Sequence, residues 1–210
     1  MNSISKYERE KIIEKNLPSA AKVNEYIQKW DQLEDYVSQE RALDKLFLEL
    51  CKNNTCIEDI LIKCSALNDF YSTNIFKVHN VAQHYMQKDI DQRLNEGDIT
   101  LVEDLAHIVI NGKAFNFYSF ASKYCSHHRP DIYPIYDSYV HKLLKYFRDR
   151  DKNKGRECFC KFKEADLKNY QSYLTIIRAF QQFYGLNTFT IKEIDKYLWQ
   201  LGKEAFSPYK

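Results

Sequence analysis

Glycine and proline are scarce in this chain of 210 residues, which contains 5 Gly and 4 Pro. A β-sandwich with many short strands needs more of both, because they supply the backbone angles of tight turns. No apolar run approaches the roughly 20 residues that cross a bilayer, and residues 1–6 lack the apolar stretch of a signal peptide. These scarcities favour a helical, soluble protein without a membrane partner, and we expect it in the cytoplasm, at the nucleoid if the source is prokaryotic.

Cysteine is also too sparse to act as a framework, with 6 residues in the chain. Only Cys158 and Cys160 lie close together, whereas a structural zinc or iron–sulfur site needs two such clusters or cysteines with well-spaced histidines. We therefore expect reduced thiols, as in the cytoplasm, and no metal ion.

An excess of one charge is missing as well, because 31 Lys and Arg stand against 29 Asp and Glu, for a net charge of +2. The whole surface therefore carries no strong field that attracts nucleic acid. Hydrophobic residues make up 44% of the chain, which is enough to bury a core. The length fits one domain over residues 1–210, with two possible sub-lobes, about 1–52 with 164–210 and 53–163.

Apolar residues recur at helical spacing through most of the sequence, and no segment shows sustained strand alternation. Leu43, Leu46, Phe47 and Leu50, for example, form one apolar stripe. Thr55, followed by Glu58, gives the capping-box pattern that opens a further helix. The fold class predicted is therefore all-α, with about ten helices: the one after Thr55 and those over 5–15, 20–30, 33–51, 72–87, 99–110, 115–126, 138–148, 165–184 and 190–203.

Lys123 and Asp137 are the candidate catalytic residues. Lys123 lies in an apolar, aromatic-rich helix, and an apolar site lowers the pKa of a lysine and so increases its neutral, nucleophilic fraction. Asp137 follows 14 positions later, where a loop with two prolines meets the next helix, and backbone N–H groups at a helix start hold a carboxylate as an anion. A simpler interpretation stays open, in which Lys123 extends to solvent and Asp137 only caps its helix.

The segments 119–123 and 133–137 resemble the catalytic region of the helix-hairpin-helix DNA glycosylases, particularly the 8-oxoguanine glycosylase/lyase branch. That family has a Gly-x-Gly-x-Lys segment leading from hairpin to helix, and a Val-Pro-Val-Asp-like segment with the catalytic aspartate. Here Ser119 and Ala121 stand in place of the glycines, and the Lys-to-Asp interval is shorter. The resemblance covers about 57–144, including a weaker match at 63–70.

The resemblance implies a two-lobed helical bundle and an enzyme of base excision repair. It would act on double-stranded DNA that contains an oxidised or otherwise modified base, as a DNA glycosylase with associated AP lyase activity. Lys123 would form a Schiff base with the sugar, and Asp137 would assist by stabilising positive charge. No cofactor is implied.

An everted base also needs a pocket, and the DNA backbone needs phosphate contacts. Asn68 matches the residue that fills the space left by the base, and His127 follows Lys123 on the same helix. The candidates for the base pocket are Asn68, Phe70, Tyr124, His127, Tyr136 and Tyr139. The candidates for backbone contact are Gly112, Lys113, Lys142 and Lys145. Ordinary core packing is the simpler interpretation of each aromatic, and an ordinary solvated surface is the simpler interpretation of the lysines.

Two alternatives to the repair glycosylase remain. An altered hairpin and many tyrosines suit a glycosylase for larger substrates, such as the hypermodified bases of bacteriophage DNA. A helical module without catalysis, which binds nucleic acid or a partner protein, would keep Lys123 and Asp137 as a buried structural pair.

Overall fold

The structure of the chain, a computed structural model, describes residues 4–153 and 157–207. Within these residues the fold is helical, which confirms the predicted all-α class. None of the described helices is both long and apolar enough to cross a membrane. The helices are α1 (Lys6–Lys15), α2 (Ala20–Asp31), α3 (Glu34–Lys45), α4 (Ile57–Phe70), α5 (Val78–Tyr85), α6 (Ile90–Glu96), α7 (Leu101–Ala106), α8 (Tyr118–His128), α9 (Ser138–Asn153), α10 (Tyr170–Phe183) and α11 (Ile191–Phe206), with a π-helical turn at Leu46–Leu50 and a 3-10 helix at Glu164–Lys168.

Side-chain caps fix where several helices begin. At α1, Ser5 Oγ accepts from the backbone N–H of Glu8, and the Glu8 carboxylate accepts from the backbone N–H of Ser5. Thr190 and Glu193 repeat this capping box at α11. The box predicted at Thr55 is wrong, because the N-cap of α4 is Cys56, whose side chain makes no capping hydrogen bond.

A short hairpin interrupts the helices, contrary to the predicted absence of strands. Strands β1 (His107–Ile110) and β2 (Lys113–Asn116) pair antiparallel. Asn111 and Gly112 form the two-residue turn with φ of 52° and 75°, and Asn-Gly accepts positive φ at both positions. The helix predicted over 99–110 therefore ends at Ala106, since the β-branched residues that follow favour a strand.

The helix predicted over 72–87 is also shorter, because α5 begins only at Val78. Ser72 and Asn74 have positive φ, of 47° and 56°, which breaks the helix. The Asn68 side chain replaces the missing helical hydrogen bonds, since its Oδ1 accepts from Ile75 N at 2.8 Å and from Thr73 Oγ1 at 2.7 Å. Helix α6 was not predicted.

The chain divides into two compact units. Unit 1 comprises Met1–Leu33, Tyr136–Lys168 and Ser172–Lys210, and unit 2 comprises Glu34–Ile135 and Asn169–Gln171. In unit 1, α11 packs on α1, α2 and α9. A Cβ on Gly202 of α11 would lie 2.7 Å from Tyr139 Cβ, so this crossing requires glycine. In unit 2, α8 packs on α4 and α7. The single domain over 1–210 stays a prediction.

Candidate functional site

Helix α8 is the inner helix of unit 2, and its side chains from Phe120 to His127 are all buried. Polar residues nevertheless occur along it in two rows. Ser119, Lys123 and His127 are spaced four apart, and so are Tyr124 and His128, which places each set on one side of the helix. The two rows are adjacent, about 100° apart around the helix. They belong to two neighbouring polar clusters, which share the ring of Phe47.

The Lys123 cluster consists of Lys123, Ser119, Tyr71 and His127. Lys123 is 4% exposed, so its side chain does not extend to solvent. Its Nζ donates to Ser119 Oγ at 2.6 Å and lies 4.8 Å from the centre of the Tyr71 ring. The Tyr71 hydroxyl is 3.0 Å from His127 Nε2. An amine, a hydroxyl, a phenol and an imidazole thus adjoin one another inside the unit, and all four groups can take part in proton transfer.

The Lys63 cluster lies at the adjacent row of α8, that of Tyr124 and His128, and was not predicted. Lys63, on α4, is fully buried. Its Nζ donates to Asn53 O at 3.0 Å and to Asn54 Oδ1 at 2.7 Å, and lies 3.3 Å from His128 Nε2. Asn54 in turn donates through its backbone N–H and its side-chain amide to Asp91. The lysine is therefore linked to a carboxylate through one asparagine.

Burial controls the charge of the Lys63 cluster. Desolvation lowers the pKa of Lys63 to about 8, against a smaller opposite effect of Asp91. Desolvation, followed by the charge of Lys63, lowers the pKa of His128 to about 3. His128 is therefore neutral at pH 7, and its Nε2 can accept the third hydrogen bond of Lys63.

A cavity of about 230 Å³ opens beside this cluster. Asn53, Asp91 and His128 belong to both the cavity wall and the Lys63 network. The rest of the wall combines two cations with apolar and amide side chains: Phe47, Leu48, Lys52, Leu94, Asn95 and Arg129. A ligand in this cavity would touch the partners of Lys63.

The position of Lys63 in the sequence indicates that this lysine is buried. Lys63 falls in the buried stripe of α4, at the helical spacing set by Ile60, Cys64 and Leu67. A lysine in an apolar stripe must find acceptors inside the protein. Asp91, which Asn54 links to Lys63, lies far away in sequence, and no local pattern indicates that connection.

The predicted base-pocket residues of unit 2 fall on different sides of α8. Tyr124 is fully buried, its hydroxyl donates to Asn54 Oδ1, and its ring packs on Phe47 and Tyr85, so it belongs to the Lys63 cluster. His127 belongs to the Lys123 cluster. The Asn68 amide is engaged in the turn after α4, and Phe70 is the half-buried last residue of that helix.

Asp137 and the remaining pocket candidates lie in unit 1. Asp137 Oδ1 accepts from Tyr139 N at 2.7 Å, so the carboxylate caps α9, as the simpler interpretation expected. The Tyr136 hydroxyl is 2.9 Å from His141 Nδ1. Tyr139 lies at the close approach of α9 to Gly202. Lys123 belongs to unit 2, and the joint action of Lys123 and Asp137 stays a prediction.

The backbone candidates are distributed over both units. Gly112 and Lys113 lie at the exposed tip of the hairpin, with Lys113 Nζ 5.5 Å from the Phe115 ring centre. Lys142 is exposed on α9, and Lys145 Nζ is 2.5 Å from a Glu164 oxygen. The segment 119–123, matched to a hairpin-to-helix segment, is helical throughout, and the chain has its hairpin turn at Asn111 and Gly112. Helix α8 therefore reaches Lys123 without the glycines that a hairpin there would need.

Residues 4–153 and 157–207 contain neither a candidate metal site nor a disulfide. Within those ranges no group of three or more His, Cys, Asp or Glu residues could hold a metal ion. The six cysteines are free thiols, and burial raises the pKa of those at the centre of unit 2, Cys64 and Cys125.

Comparison with known proteins identifies a protein family that matches this chain. The family model HI_0787_N, described as an N-terminal domain, matches residues 22–132. A protein of Haemophilus influenzae with the name "Uncharacterized protein" is 48% identical over 159 residues, which cover 75% of this chain and 73% of that protein. No solved structure matches the chain. The range of the family model includes Lys63 and Lys123 and ends before Asp137.

Proposed function

The chain belongs to the HI_0787_N family, and we propose that it is a DNA glycosylase with AP lyase activity in which Lys123 is the nucleophile. The observation that carries this proposal is the contact of the buried Lys123 amine with the Ser119 hydroxyl and with the Tyr71 ring, whose own hydroxyl lies 3.0 Å from His127 Nε2. An amine enclosed in this way is shielded from competing water, which suits covalent catalysis on a substrate that excludes solvent.

The proposed substrate is double-stranded DNA with an oxidised or otherwise modified base, 8-oxoguanine first among them. The base must leave the stack before the enzyme reaches the sugar. The neutral Lys123 nitrogen then bonds to C1′ while the C1′–N bond breaks, and the base leaves with the bonding electrons and takes up a proton. Opening of the sugar ring gives a Schiff base. Loss of a C2′ proton then expels the 3′ phosphate, and water releases the lysine.

Asp137 is the proposed assisting group in this reaction. A fixed carboxylate stabilises the positive charge that develops on the sugar, and it accepts a proton from the lysine ammonium. The cap contact with Tyr139 N supports this role, because it fixes the position of the carboxylate at the start of α9. The reaction needs no cofactor, and a DNA substrate places the enzyme in the cytoplasm or at the nucleoid.

A product assay tests the proposal. Labelled duplexes, each with one lesion or one hypermodified phage base, are incubated with the full chain, and base release and strand cleavage are measured by mass spectrometry and electrophoresis. We expect activity on at least one duplex and its loss in Lys123→Gln. Lys45→Gln is the matched control, because Lys45 is exposed on α3 in the same unit.

Three outcomes separate the alternatives. Release of an oxidised base supports the repair enzyme, and release of only the phage bases supports the larger-substrate glycosylase. DNA binding that is equal in the wild type and Lys123→Gln, with no abasic product from any duplex, contradicts catalysis and supports a binding module.

A further inference from the structure

A cavity of about 290 Å³ in unit 1 collects basic side chains from two helices. Lys6 and Arg9 come from α1, and Lys142 and Lys145 come from α9. Phe206, the last residue of α11, closes one side with its ring. We call this space the α1–α9 cavity. It lies wholly in unit 1 and contains neither Lys123 nor Asp137.

Ion pairs neutralise only part of this charge. Lys6 Nζ is 3.9 Å from Glu10 Oε1, and Lys145 Nζ is 2.5 Å from Glu164 Oε2. Within the described part of the chain, no carboxylate lies within ion-pair distance of the side chain of Arg9 or Lys142. Positive charge is therefore left over at the cavity.

The two remaining cations face rings instead of acids. The Arg9 guanidinium lies 4.9 Å from the Phe206 ring centre. Lys142 Nζ lies 5.9 Å from the same centre and 5.6 Å from that of Tyr139. Ring contacts hold a cation in place but leave its N–H groups without an acceptor.

Arg9 gives the more specific sign of a missing ligand. Its Nε is buried and has no hydrogen-bond partner among the residues that the structure describes. Buried polar atoms in folded proteins nearly always have a partner, since leaving one without an acceptor is costly. The guanidinium of Arg9 therefore has an N–H donor that the described residues leave unsatisfied.

We propose that the α1–α9 cavity binds a phosphate-class oxyanion. The guanidinium of Arg9 has N–H groups that can donate in parallel to two oxygens of such an anion, and Lys142 adds a point charge beside it. A doubly charged phosphate matches several cations better than a carboxylate does. Phe206 and Tyr146 provide an apolar wall for the organic part of an ester.

A free phosphate ester and a phosphate of the DNA backbone present the same oxyanion to this cavity. Lys142 and Lys145 were predicted to contact DNA, and the cavity adds Lys6 and Arg9 from a helix remote in sequence. The site goes beyond the proposed glycosylase reaction, because it contains neither Lys123 nor Asp137.

Calorimetric titration of the full chain with inorganic phosphate, at ionic strength held constant with chloride, tests the site. We expect measurable binding in the millimolar range or tighter. Arg9→Gln and Lys142→Gln should each weaken it at least about tenfold, because each removes a charge-assisted contact. Lys11→Gln is the control, because Lys11 is exposed on α1 and does not line the cavity.

Titration of the same variants with an undamaged duplex at several salt concentrations identifies the source of the phosphate. If the occupant is a backbone phosphate, Arg9→Gln weakens duplex binding and reduces the salt slope by about 1. If the occupant is a free ester, duplex binding stays unchanged while phosphate binding is lost.

The site is overturned if the wild type does not bind phosphate, or if folded Arg9→Gln and Lys142→Gln bind it as Lys11→Gln does. Circular dichroism of each variant establishes that it is folded. Strand cleavage is measured separately, so failure of the anion site and failure of the glycosylase proposal are distinguishable.

Discussion

Lys63 and Lys123 are both buried in unit 2, at adjacent rows of α8, but their surroundings differ. The three N–H groups of Lys63 meet three acceptors: Asn53 O, Asn54 Oδ1 and His128 Nε2. Lys123 donates to the small hydroxyl of Ser119 and lies against the face of Tyr71. A lysine that donates all its hydrogen bonds to fixed acceptors has a structural role.

The comparison teaches that burial alone does not identify a nucleophile. The pKa of Lys63 is lowered to about 8, so this lysine has a neutral fraction at pH 7 and would be chosen on that criterion. Its three hydrogen bonds to fixed acceptors favour a structural role. Lys123 is proposed as the nucleophile because it matches the lysine of the glycosylase segment and adjoins the Ser119 hydroxyl and the Tyr71 ring. Variants on each side separate a structural role for Lys63 from a nucleophilic role for Lys123.

The largest expected difference is in the rate of base release after replacement of a carboxylate, which is Asp137 in the proposed reaction of Lys123 and Asp91 on the Lys63 side. Asp137→Asn should slow base release by about two to four decades, because it removes a charge that stabilises the transition state. The change keeps α9 capped, since Asn is as good an N-cap as Asp. The rate is measured under single-turnover conditions with the duplex found most active.

Asp91→Asn is the matched control on the Lys63 side. It should leave the rate of base release near the wild-type value and lower stability by about 1–3 kcal/mol, because Asn54 loses a charged acceptor. Equal rates in the Asp137→Asn variant and the wild type would remove Asp137 from the mechanism.

The second prediction concerns the stability of the chain in alkali. The folded-state pKa of Lys63, about 8, lies below the ordinary value of 10.5, so the unfolded chain binds more protons between these values. This group should therefore make the chain more stable as the pH rises from 8 to 10.5, by about 3 kcal/mol. Urea unfolding of the wild type and Lys63→Met at several pH values measures the difference in slope, and the same slope in both proteins would contradict the burial of an ionisable amine.

A smaller effect is expected in acid, from His128. Its folded-state pKa of about 3 lies below the ordinary 6.5, so folding opposes its protonation and stability is lost as the pH falls below 6.5. The loss should reach about 2 kcal/mol at pH 5. His128→Gln should show a shallower decline, whereas the variant of an exposed histidine, His107→Gln, should follow the wild type. Parallel curves for all three proteins would show that His128 is not buried in solution.

Local sequence patterns predicted the parts of the fold that depend on neighbouring residues. The helices predicted over 5–15 and 190–203 begin at Lys6 and Ile191, where Ser5 and Thr190 each bond to a residue three positions later. The hairpin at 107–116 was missed because an alternation of four residues is too short to stand out beside helical periodicity. The positive φ values of Ser72 and Asn74 likewise leave little trace in the sequence.

The candidate site was only partly predictable, because local patterns indicate single residues but not contacts between residues that are far apart in sequence. Lys123 stood out as a charge in an apolar helix, and Asp137 as a cap residue after a proline loop. The contacts of Asn54 with Asp91 and Tyr124 join residues that are 37 and 70 positions apart. Such contacts depend on the packing of whole helices, which a single sequence does not display.

The most direct measurement is to find which lysine becomes attached to DNA. The full chain is incubated with the active duplex and borohydride, which reduces a Schiff base to a stable bond, and the attached peptide is identified by mass spectrometry. The proposed function predicts the sugar on Lys123 and no attachment in Lys123→Gln, with Lys63→Gln still attached at Lys123. Attachment at Lys63, or attachment that persists in Lys123→Gln, would contradict it.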